Sequence, residues 1–123
     1  MRQKQPLLTH LFMSFSDAFR GLKYTWHEER NFRIGICISL LIIIALVTFD
    51  FSYTDVVFAV LTMMLVLGAE VINTAFEDTL NKIEPNFDHT IGKAKDIAAG
   101  IVVLNVLGAL AIAIIVVIHH FSL

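Results

Sequence analysis

The sequence predicts an all-α membrane protein: an N-terminal amphipathic surface helix and three transmembrane helices, assembled as a homo-oligomer. Three observations carry this. The 123 residues are 57% apolar and 16% charged, with a mean hydropathy of +0.76, whereas soluble domains carry roughly 25% charge. Three stretches lack charged residues: Ile34 to Phe49, Val56 to Ala69 and Ile97 to Ile118. All nine basic residues fall on flanks that three crossings bring to one side. The oligomer follows from size, because three short helices can hardly enclose a substrate of any bulk.

The surface helix covers about 8–28. On a wheel of about 100° per residue, Leu11, Phe12, Phe15, Ala18, Phe19, Leu22 and Trp26 share one arc, while Ser16, Asp17, Arg20, Lys23 and His27 lie outside it. Such a helix lies in the bilayer boundary, or packs its stripe on a partner subunit. Either arrangement places Glu28 and Glu29 near the membrane surface. The N-terminus is not expected to be a signal peptide, since no apolar core follows Arg2 and Lys4.

The first span, about 33–50, is short and reaches across if Arg33 snorkels toward the headgroups. The second, about 54–80, is long enough only if it runs on through Glu70 and Asn73. The loop from Asn81 to Lys95, with Pro85, Asn86, Asp88 and Gly92, reads as a turn. The third span, about 96–120, is rich in small residues, and its buried amide, Asn105, is expected to bond across a helix contact. Cys37 is alone, so no disulfide or cysteine-zinc framework forms.

Three crossings of about 20 residues each use about half the chain, which leaves a single membrane domain over 1–123 and no room for a soluble catalytic one. Arg2, Lys4, Arg20, Lys23, Arg30 and Arg33 precede the first span, and Lys82, Lys93 and Lys95 separate the second and third. The positive-inside rule makes that side cytoplasmic. The protein is thus expected in the cytoplasmic (inner) membrane, its N-terminus inside and its C-terminus outside. A net charge of −2 gives no basic excess for nucleic acid.

The second span carries the chemistry. Glu70 lies roughly 22 Å along the helix from Asp55, inside the cytoplasmic boundary of a ~30 Å layer, and Glu77 lies about 10 Å further toward water. Glu70, Asn73, Glu77 and Asn81 share one face. An ionisable group within a span marks function. A lipid alcohol presents its hydroxyl at the boundary, where Glu70 is placed to take its proton. Glu77 and Glu29 offer the hard oxygens that Mg²⁺ takes beside phosphate, and Lys95 can neutralise phosphate charge. A structural alternative pairs Glu70 with Lys95 or Arg33.

The run Glu28-Glu29-Arg30-Asn31-Phe32-Arg33, the segment Glu70-Val71-Ile72-Asn73-Thr74-Ala75-Phe76-Glu77, and Lys93-Ala94-Lys95-Asp96-Ile97-Ala98-Ala99-Gly100 resemble the bacterial diacylglycerol kinase and undecaprenol kinase family. The likeness runs from about Ser14 to the end of the third span. It implies a homotrimeric lipid kinase with active sites shared between subunits. It also implies Glu70 as general base and Glu29 and Glu77 as ligands of the Mg²⁺ that accompanies ATP. Asn73, Lys95 and Asp96 would join those two at the nucleotide, with Asn86 and Asp88 toward the adenosine. The chain departs from the family at Asn81, where Asp is usual, and at Asn86-Phe87-Asp88, where diacylglycerol-type members tend to have Glu-Tyr-His. Its Glu-Arg-Asn-Phe-Arg run is closer to the undecaprenol branch.

Two other classes remain. An oligomeric ion or proton pathway would line its gap with Glu70 and Asn73 but leaves Glu29, Lys95 and Asp96 without a task. A noncatalytic assembly subunit would need none of them. Undecaprenol and diacylglycerol each offer one hydroxyl at the boundary, and the sequence does not choose between them.

Overall fold

The computed structural model describes residues 5–122; Arg2 and Lys4, counted above among the cytoplasmic cations, and Leu123 lie outside the described residues. Four helices follow one another: α1 Leu7–Glu28, α2 Arg30–Thr48, α3 Tyr53–Ile83 and α4 His89–Phe121. The last three are long and apolar enough to cross a membrane.

A single extended residue, Glu29, separates α1 from α2. Arg33 is held at the end of α1. Its Nη1 donates to the carbonyls of Trp26 at 2.6 Å and His27 at 3.0 Å, satisfying acceptors that the end of α1 leaves open. This clasp fixes the turn on which Glu29 stands.

α1 rests on α3 through a small-residue edge. Ala18, Gly21 and Thr25 face Val71, Thr74 and Ala75 across a shallow cleft, and both threonines are buried. The aromatic stripe stays free: Phe12, Phe15 and Phe19 are all more than 60% exposed. Small residues permit close approach, and the bulky ones remain available to lipid.

At the outer end, α2 closes with a Schellman motif. Asp50 takes a left-handed φ of 53°, its N–H donates to Val47 O at 3.3 Å, and the N–H of Phe51 donates to Leu46 O at 3.0 Å, which together satisfy the final carbonyls. Ser52 then caps α3 by accepting from the N–H of Asp55 at 3.2 Å.

Between α3 and α4, the broad turn expected over 81–95 shrinks to residues 84–88. α4 begins at His89, two turns before the Asp96 start that the sequence suggests, because Asp88 Oδ1 accepts from the N–H of Ile91 at 2.9 Å and caps it. Lys95 and Asp96 therefore stand well inside α4. At 1.5 Å per residue α3 and α4 run to roughly 46 and 50 Å, beyond a ~30 Å hydrocarbon layer, so both project into water as rigid arms. Asn105 also differs from expectation: its Nδ2 donates to Ile101 O of its own helix at 2.9 Å, the i−4 carbonyl being within reach whatever lies across the helix contact.

α2 and α4 both pack on α3, and not on each other. Few apolar side chains are buried: Phe32, Leu46, Ala69, Leu80, Ala98 and Val116. Gly35 lies tight against α3, since a Cβ there would lie 3.0 Å from Leu67 Cδ2.

Candidate active site

Because α2 and α4 flank α3 without touching, a groove of about 680 Å³ runs between them with α3 as its floor. Its lining spans Asn31 to Leu46 on α2, a rise of roughly 22 Å, which is most of a membrane's apolar thickness. Four polar side chains line it: Asn31, Ser39, Thr62 and Glu70. Ser39 Oγ donates to Gly35 O at 2.7 Å and Thr62 Oγ1 to Phe58 O at 2.6 Å. Both hydroxyls are thereby committed to their own helices. The groove is apolar along its length and polar at one mouth, where Asn31 and Glu70 stand.

Glu70 is half-buried, and Glu29 lies within electrostatic reach of it. No cation answers them: among the described residues the one ion pair is Arg20–Asp17, at 3.3 Å on the exposed face of α1. The structural pairing of Glu70 with Lys95 or Arg33 is absent. Arg33 caps α1, and Lys95 Nζ donates to Asn81 Oδ1, tying the arms of α3 and α4 together. Neither carboxylate has an ion-pair partner among the described residues.

Of the remaining sequence candidates, Asn73 is half-buried and Glu77 exposed on α3, the latter about two turns beyond Glu70 toward water. Asp96 is exposed on α4. Asn86 is exposed in the connecting loop, its backbone N–H donating to Glu84 Oε1 at 3.0 Å, and Asp88 serves α4 as its cap. Glu29 and Glu70 are thus brought together, Glu77 follows on the same helix, and Lys95 lies beside the arm that carries Glu77. Asn86 and Asp88 sit apart, at the tip of the α3–α4 hairpin. Among the described residues no three acidic, histidine or cysteine side chains converge.

Sequence reasoning passed over Asn31 as a site residue. The available signal was the spacing Asn31, Gly35, Ser39, a small or polar residue every fourth position down one face of the first span.

A multi-pass membrane protein with a lipid-facing groove ending at an uncompensated carboxylate is the class that fold and site define. Comparison narrows it. The description "Prokaryotic diacylglycerol kinase" matches residues 16–117, and the chain belongs to that family. It is similar to a diacylglycerol kinase of Synechocystis sp., 33% identical over 104 residues, and covers 84% of this chain but 59% of that longer relative. It is similar to a diacylglycerol kinase of Escherichia coli, 26% identical over 115 residues and 93% of each chain. An undecaprenol kinase of Bacillus subtilis is 30% identical over 95 residues, 77% of each chain.

Proposed function

We propose that this protein is a lipid kinase that transfers the γ-phosphate of ATP to the hydroxyl of a membrane lipid alcohol at the cytoplasmic face of the inner membrane. The observation that carries the reading is Glu70 at the cytoplasmic mouth of a membrane-length apolar groove. The apolar lining suits the hydroxyl-proximal hydrocarbon of a diacylglycerol or of a polyprenol, with the hydroxyl at the Glu70 end.

The residues divide the work by depth. Glu70 takes the proton of the alcohol as its oxygen forms a bond to the γ-phosphorus; the bond to the β,γ-bridging oxygen breaks and ADP leaves. Glu29 and Glu77 hold Mg²⁺, which when bound neutralises charge on the phosphate oxygens. Asn73 and Asp96 contact the nucleotide, and Lys95 places its ammonium by the phosphates. Asn86 and Asp88 meet the adenosine end. The donors available fit this division, since Glu29, Glu70 and Glu77 lack cationic partners among the described residues.

A homo-oligomer, a trimer in the family's pattern, completes the site. Support comes from the scarcity of buried apolar residues in one chain and from the distance of Asn86 and Asp88 from the mouth within it.

The test is reconstitution into vesicles with terminally labelled ATP, Mg²⁺, and diacylglycerol and undecaprenol side by side. Label in a lipid monophosphate is the expected result. Ion flux without labelled lipid, or no turnover with either alcohol, overturns the reading.

A further inference from the structure

We propose that Asn31 is the second polar contact to the acceptor alcohol: its amide N–H holds the hydroxyl oxygen while Glu70 receives the proton. This rests on the lipid-kinase reading above. Asn31 and Glu70 line the same groove from opposing helices, Asn31 in the first turn of α2 and Glu70 on α3. Every other polar side chain of the groove is committed to its own helix. Among the described residues the Asn31 amide makes no hydrogen bond to protein, so both its donors are free for a ligand in the groove.

The chemistry is complementary. A carboxylate only accepts, whereas a neutral amide both donates and accepts. An alcohol has one proton and two lone pairs. With its proton directed to Glu70 and one lone pair held by Asn31 Nδ2, the other lone pair is left to attack phosphorus. Two points of attachment orient the oxygen, where the carboxylate alone would leave the O–H free to rotate. Gly35, one turn along, has no side chain to block access to Asn31.

The experiment compares Asn31→Ala, Asn31→Asp and Asn31→Gln with the parent protein in vesicles, varying lipid alcohol and ATP separately. Ala is the stronger helix former, so α2 should be retained; the oligomer profile checks this. Asn31→Ala is expected to lower kcat/KM for the lipid on the order of ten-fold with KM for ATP unchanged. Asn31→Asp, isosteric but without donors, should be at least as impaired, and Asn31→Gln partly restored. Parent-like lipid kinetics in the Ala variant, or an equal effect on ATP, overturns the role of Asn31 while leaving the kinase reading intact. Failure of the parent protein to phosphorylate any lipid alcohol overturns both.

Discussion

Glu77 stands about two turns from Glu70 on the same helix, and in the proposed reaction this offset gives the two carboxylates different tasks. Glu77→Lys places a cation where Mg²⁺ is to be held, and activity should fall to background at any Mg²⁺ concentration; parent-like activity with normal metal dependence would remove Glu77 from the metal site. Asp88 caps α4, and substitution can separate that task from the adenosine contact proposed for it. Asp88→Ala should cost about 1 kcal/mol of stability through loss of the cap. Asp88→Ser keeps the cap and should restore thermal stability, but it should not restore KM for ATP. If Ser restores both, Asp88 is a cap alone. Glu70 was legible in the sequence because charge is so costly at its depth. Asn31 was not, because an amide near the start of a span reads as interfacial until the fold places α3 opposite it. Asn105 turns one amide donor to its own helix, a choice that the composition of the span does not reveal.

The helices were legible from hydropathy and charge, and their cytoplasmic ends were not. Hydropathy reports where lipid stops, whereas helix continues wherever backbone groups are paired and capped. The polar stretches Asn81 to Ile83 and His89 to Lys95 therefore looked like loop and are helix. The outer corner permits a test of the same backbone logic. Asp50 adopts a left-handed φ that costs L-residues roughly 1–2 kcal/mol, least for Asp and Asn. Asp50→Gly should raise the melting temperature in detergent or leave it unchanged, and a marked fall would contradict the Schellman assignment. Gly35 behaves differently, being constrained by space and not by φ. Gly35→Ala should be close to neutral: removing Gly from a helix gains up to ~1 kcal/mol, and the atom it meets is the mobile end of Leu67. Gly35→Leu should cost about 1–3 kcal/mol by overpacking and reduce turnover of lipid more than affinity for ATP.

For the whole molecule, the low charge that marks a membrane protein goes together with the gathering of its basic residues on the flanks that three crossings bring to one side. In the proposed reaction hydrocarbon lies in the groove, phosphate chemistry takes place on the arms of α3 and α4, and Glu70 stands between them. A lone chain buries too little apolar surface to fix α2 and α4 relative to each other, so subunit contacts should complete the fold and the site. Mixing Glu70→Gln subunits with Glu77→Lys subunits should then regain activity that neither shows alone, provided the two residues act from different subunits; no recovery would place both in one. The most direct measurement of the central claim is labelled phosphate transfer to diacylglycerol and to undecaprenol in vesicles, comparing the parent protein with a Glu70→Gln variant of identical assembly. The account predicts labelled lipid from the parent protein and a loss of about 10²–10⁴-fold in the variant, whereas transfer by Glu70→Gln at the parent rate would contradict it.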